Sequence, residues 1–209
     1  NKTTLRGIVM LLQNHDALTT MGRSSTIFIS AINGETAGGG IEISMACDMR
    51  FMSDQADLSQ IEILFGFPPG MSGTQRLARL IGRANALEMM LTGRAISSQE
   101  AKQMGLVNDV FEHDKFLGKV IEYADRISNF SPEAISAIKR STLEGGSLPM
   151  EKGLQIEQAC MFHTVGLKST QHAMANYVDH MKQGGVVPTY DEALREKMER
   201  GELTNFQVS

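Results

Sequence analysis

The stretch Ala31-Ile32-Asn33-Gly34-Glu35-Thr36-Ala37-Gly38-Gly39-Gly40-Ile41-Glu42-Ile43-Ser44-Met45-Ala46-Cys47-Asp48 decides how the chain is read. An apolar β-prone run, residues 27–32, stops at Asn33-Gly34, a turn dipeptide. Three glycines follow, and then apolar residues take up helical spacing. Glycines at a helix start let a ligand approach the backbone with no Cβ in the way. The first amides of a helix have no intrahelical partner and point outward. Such a place suits an anion, or an oxygen that becomes negative during a reaction. Glu42 lies less than a helical turn further on, so the stretch offers an oxyanion donor beside a carboxylate.

Two more blocks extend the pattern. One is Ser59-Gln60-Ile61-Glu62-Ile63-Leu64-Phe65-Gly66-Phe67-Pro68-Pro69-Gly70, continued by Gly73-Thr74-Gln75-Arg76-Leu77. The other is Leu91-Thr92-Gly93-Arg94, continued by Ala101-Lys102 and Gly105-Leu106-Val107. In order and approximate spacing the three blocks resemble the enoyl-CoA hydratase/isomerase (crotonase) superfamily, whose members bind acyl-CoA thioesters. The resemblance is close over residues 26–111 and looser beyond.

It implies an α/β fold with a crotonase-like ββα spiral core, residues 1–112, followed by a helical C-terminal trimerisation or capping region, residues 113–209. Only 37 residues precede Gly38, fewer than the family carries there. The resemblance therefore implies that the first ββα turns are missing, with an Ala-Gly-Ala-Asp-like loop that would supply a second oxyanion amide.

Function follows from Glu42 and Glu62, twenty residues apart. Taken singly, a glutamate at a helix start reads as a dipole-stabilised surface group. As a pair around one water, two carboxylates suit hydration of a carbon–carbon double bond, one as base and the other as acid. Crowded in a dry pocket, they would push their proton affinities apart. By resemblance, Glu42, Glu62 and the Gly39 amide are the catalytic groups of an enoyl-CoA hydratase of fatty acid metabolism. Gly38, Gly40, Gly70, Tyr177 and Lys182 are the implied substrate-binding residues, the last two from a helix beside coenzyme A. Coenzyme A enters as part of the substrate, and no separate cofactor or metal is expected. Family members lacking one of the two glutamates tend towards isomerisation or other enolate chemistry, and a non-catalytic acyl-CoA-binding subunit is the third reading. Glu35 and Thr36 depart from the family's uncharged and small residues there.

The remaining sequence sets bounds. The 209 residues carry 42% hydrophobic and 21% charged residues, a balance that reads as soluble and globular. A net charge of −4 gives no basic footprint for nucleic acid. No apolar run reaches membrane-spanning length. The two cysteines, Cys47 and Cys160, have no metal-ligand spacing and no disulfide framework is expected. A cytoplasmic setting is expected, or the mitochondrial matrix in a eukaryote. The resemblance further implies a homotrimer or a hexamer.

In chain order, helical spacing covers residues 4–20, with His15 read as a solvated helix-end side chain. Strands are expected at 26–32, 48–52 and 107–111. Helices are expected at 40–46, 71–80, 84–91, 97–104, 114–128, 132–145, 149–165, 169–183 and 190–200. Ser97 to Glu100 matches a capping box, and Ser131-Pro132 a cap with proline at the first helical position. Asp48 is read as holding a turn or pairing with Arg50 or Arg76, and Arg76 as a capping or ion-pair group. The extension after Gly184 carries no assignment.

Overall fold

In the computed structural model, residues 2–202 are described. They divide into two compact units, residues 1–121 and 122–209. The division falls inside a helix, nine residues beyond the 112/113 boundary read from the sequence.

The first unit opens with α1 (Lys2–Arg23), then β1 (Ile29–Ile32), β2 (Thr36–Ala37) and α2 (Gly39–Ala46). The alternation continues through β3 (Met49–Ser53), β4 (Asp57–Ser59), α3 (Gly73–Ile81) and α4 (Arg83–Thr92). It ends with β5 (Ala95–Ser97), α5 (Ser98–Gln103), β6 (Asp109–Phe111) and the first part of α6 (Phe116–Ser128). The strands form two three-stranded sheets. One has the order β1-β3-β6 and is parallel throughout, with Ile29 opposite Met49 and Phe51 opposite Asp109. The other has the order β2-β4-β5, with β2 parallel and β5 antiparallel to the central β4.

Short strands joined through helices need both faces covered, and the core supplies that cover. Ile32, Ile41, Met45, Met52, Leu58, Leu77, Met89, Ile96 and Leu106 form one buried apolar cluster. Every one of these residues is carried on a strand, a helix or the turn after α5. β3 is buried on both faces, with Phe51 and Met52 fully inside and the buried Arg50 donating to the Leu106 and Cys47 carbonyls.

Three strands were not legible in the sequence. β2, β4 and β5 are two or three residues long, too short for alternation to register. β1 starts at Ile29, three residues later than expected. Just before it the Phe28 carbonyl accepts from the Asp48 amide at 2.8 Å and the Phe28 amide donates to Asp48 Oδ2 at 2.8 Å, so Asp48 ties the entry of β1 to that of β3 rather than holding a local turn. Helix α3 starts at Gly73, two residues later than expected. Ser72 stands at its N-cap in the left-handed region, φ 91°, and its hydroxyl accepts from Arg76 Nε at 2.9 Å.

The second unit is helical. Its elements are the rest of α6, then α7 (Pro132–Arg140), α8 (Met150–Val165), α9 (Lys168–Lys182) and α10 (Glu192–Glu199). The Ser131 hydroxyl accepts from the Ala134 amide, with Pro132 in the first turn. Past Arg140 the helix widens into a π turn over Ser141–Gly145. There Gly145 and Gly153 bring two backbones together; a Cβ on Gly153 would lie 2.9 Å from the Gly145 carbonyl oxygen. The extension after Gly184 turns back on α9. The Gly185 amide donates to the His180 carbonyl, and a small apolar pocket of about 140 Å³ is lined by Ala173, Tyr177, His180, Leu194 and Met198 among others.

Candidate active site

The site is built where α2 begins. Gly38 caps the helix with φ 53° and ψ −121°, a conformation open to glycine and strained for any side chain. Its own amide is occupied, donating to the Ser59 carbonyl at 2.9 Å, which ties the glycine stretch to β4. Gly39 is the first residue of α2, half-exposed, and its amide is one of those without an intrahelical acceptor. Gly40 faces inward against the strand before it; a Cβ there would lie 2.9 Å from Thr36 Cγ2. Glu35 is exposed.

One turn on, Glu42 is 1% exposed. A carboxyl group so deep needs donors. Both come from the loop entering α3: the Met71 amide at 2.8 Å and the Gly73 amide at 2.6 Å, each to Oε1. A Cβ on Gly73 would lie 2.8 Å from that oxygen and 2.7 Å from Pro69 Cβ, so only glycine admits this approach. Burial pushes the Glu42 proton affinity above the ordinary glutamate range. The Gly73 and Met71 amides pull against that, the nearby Glu62 charge adds to it, and His15 pulls against it.

Glu62 opens a 3₁₀ turn, Glu62–Phe65, and is 7% exposed. The turn places it at the other side of the glycine stretch: its Oε1 would lie 2.9 Å from a Cβ on Gly38. Its Oε2 accepts from Gln60 Nε2 at 2.9 Å. Gln60 is wholly buried, and its Oε1 is the one buried side-chain polar atom among the described residues that has no partner. The two carboxyl groups are close enough to act on each other electrostatically. The glycine stretch, a buried pair of carboxyls and a helix-start amide thus meet at one place.

Sequence reasoning missed four contributors. Gln60 went unremarked, although it precedes Glu62 by two residues in the quoted block. Met71 and Gly73 act through backbone amides, which leave no trace in side-chain type. His15, read as a solvated helix-end group, lies within α1 rather than at its end. It is exposed, yet close enough to Glu42 to favour its ionised form.

Of the other expected binding residues, Gly70 lies in the loop entering α3, and Tyr177 and Lys182 lie on α9 of the second unit. Gly70 is exposed, with Leu11 Cδ2 3.4 Å from where its Cβ would be. Tyr177 lies in the second unit, on the wall of the apolar pocket between α9 and the extension. Lys182, at the end of α9, is exposed and pairs with Asp179 at 3.5 Å. No cluster of three or more metal-ligating side chains occurs among the described residues. No described helix is long and apolar enough to cross a membrane.

Comparison with known proteins follows the same lines. The family model described as Enoyl-CoA hydratase/isomerase matches residues 10–184. The mitochondrial enoyl-CoA hydratase of Pongo abelii is 34% identical over 154 residues, which are 74% of this chain and 53% of that protein. The (E)-benzylidenesuccinyl-CoA hydratase of Thauera aromatica is 40% identical over 126 residues, 60% of this chain and 49% of that one. The crystal structure of an enoyl-CoA hydratase from Bacillus anthracis superposes with a TM-score of 0.80 at 32% identity, covering 88% of this chain and 69% of that one. The chain spans about half the length of the two sequence relatives.

Proposed function

The chain belongs to the enoyl-CoA hydratase/isomerase family, and on that premise we propose that it adds water across the 2,3 double bond of an acyl-CoA thioester. The observation that carries the proposal is the pair of buried carboxyls, Glu42 and Glu62, at the glycine-led start of α2.

The chemistry balances on that pair. The thioester carbonyl takes a hydrogen bond from the Gly39 amide. One carboxylate, ionised, removes a proton from water as the water oxygen bonds to Cβ. The double-bond electrons move towards the thioester, and negative charge collects on its oxygen, where the amide stabilises it. The other carboxyl, protonated, gives its proton to Cα. The pair gains one proton and loses one, so the reaction consumes only water and enoyl thioester. Burial, which raises the proton affinity of Glu42, favours one shared proton over two full charges.

Gly38, Gly40 and Gly70 are proposed to leave room for the thioester, and Tyr177 and Lys182 to touch the coenzyme A portion. The assembly is proposed as a homotrimer or hexamer. The test is hydration of crotonyl-CoA, followed as loss of enoyl absorbance. Turnover should fall by about 100-fold or more in both Glu42→Gln and Glu62→Gln, the scale of a lost acid or base. Isomerisation that survives Glu42→Gln would replace hydration as the activity. Binding of the thioester with no turnover would leave a binding subunit.

A further inference from the structure

Met71 occupies an unusual place beside the carboxyl pair. Its backbone amide donates to Glu42 Oε1 at 2.8 Å. Its side chain runs the other way, to the start of α2, where a Cβ on Gly39 would lie 3.3 Å from Met71 Sδ. One residue thus reaches from the carboxylate to the glycine whose amide receives the thioester oxygen.

The side chain is backed from behind. Asn14 Nδ2 on α1 donates to Met71 Sδ at 3.6 Å. One helical turn earlier, Leu11 of α1 meets the loop at Gly70. A free methionine is the most adaptable of apolar side chains, with three rotatable bonds. Here the sulfur is pinned by the asparagine and the loop is braced by the leucine.

The consequence concerns the substrate. With its carbonyl on the Gly39 amide, an enoyl thioester must place Cα and Cβ between the two carboxyl groups. The Met71 thioether stands beside the glycine that starts α2. We infer that carbons beyond Cβ run against this thioether, so that Met71, pinned by Asn14, determines acyl-chain specificity and restricts this site to short enoyl thioesters. The inference rests on the hydratase reading for where the thioester carbonyl sits.

The test compares four- and twelve-carbon chains in the full chain, its Met71→Ala and Asn14→Ala variants, and Met71→Leu as the variant that keeps volume. Two measurements are made: kcat/KM for crotonyl-CoA and 2-dodecenoyl-CoA, and calorimetric binding of the saturated butyryl-CoA and dodecanoyl-CoA. Met71→Ala removes three heavy atoms. A single methylene of room in an apolar pocket is worth about 10-fold or more in discrimination. The long-to-short ratio should therefore rise at least about 10-fold in Met71→Ala, by less in Asn14→Ala, and stay near the parent value in Met71→Leu.

A ratio within about twofold of the parent in Met71→Ala overturns the inference while leaving hydration in place. A binding ratio that shifts as expected, with no turnover in any variant, upholds the inference and removes the hydratase reading. Failure of every CoA ester to bind the parent overturns both.

Discussion

At the residue scale, Glu42 is held by amides and Glu62 by an amide side chain. Two backbone N–H groups fall on Glu42 Oε1. That leaves Oε2 of Glu42 as the oxygen free to carry a proton. Because burial raises its proton affinity, the ionised form is the unfavourable one in the fold. Linkage then sets the sign. The contribution of this group to stability is full below its ordinary pKa of 4.5 and is lost as pH rises through the raised value. Glu42→Gln keeps the acceptor for Met71 and Gly73 and removes the charge. It should melt at a higher temperature than the parent at pH 7, with the gain fading as pH falls through the raised value and gone below pH 4.5. Thermal melts across pH check this, and an unchanged or lowered melting temperature at pH 7 contradicts it.

Gln60 is the second residue-scale case. Its side-chain amide donates to Glu62, while its Oε1 stays buried and unmatched among the described residues. A hydrogen bond to a charged group contributes about 1.5–3 kcal/mol. Gln60→Leu should therefore lower kcat for crotonyl-CoA by about 10- to 100-fold and move the pH profile, whereas Gln60→Glu should not restore it. A Gln60→Leu enzyme with parental kcat and pH profile would show that Glu62 needs no such support.

At the scale of elements, the start of α2 is where geometry is least forgiving. Gly38 carries a positive φ and faces the Glu62 carboxyl; Gly73 faces the Glu42 carboxyl. Gly38→Ala combines backbone strain with a contact of 2.9 Å to Glu62 Oε1. It should cost about 1–3 kcal/mol in urea unfolding and should depress turnover together with stability. By contrast Ser131→Ala, a loss of the α7 cap, should cost about 1 kcal/mol and leave turnover alone. The contrast separates a helix end that builds the site from one that only ends a helix.

The turn carrying Glu62 shows a related division of labour. Glu62 points inward, while Leu64, Phe65 and Phe67 are exposed, the two phenyl rings stacked at 6.2 Å. Pro68 and Pro69 follow and restrict the backbone that leads to Met71. Stiffness after Glu62 thus helps to set the positions of the Met71 and Gly73 amides as well as that of Glu62 itself.

For the whole molecule, the two units have different characters. The first contains the strands and the carboxyl pair, and the second is helical, with many exposed apolar residues such as Leu148, Met150, Met161 and Phe162. Exposed apolar surface on this scale suits contact with another chain. The proposed trimer or hexamer should sediment at three or six times the 22.9 kDa of the chain. A single species at 22.9 kDa in equilibrium sedimentation would remove that proposal.

The sequence by itself determined the family and pointed to Glu42, Glu62 and Gly39 as the residues to look at, because these readings rest on side-chain type and glycine placement. It also determined the caps at Ser97 and Ser131, where a hydroxyl meets an amide three residues away. Only the tertiary structure decided that β2 and β4 pair, that Glu42 is held by the Met71 and Gly73 amides, and that Gln60 and Asn14 reach the site. Asn14 and Met71 are 57 residues apart in the chain, and Glu42 and Gly73 are 31 apart. Such contacts depend on how the chain closes its loops, and no local pattern of residue types records that closure.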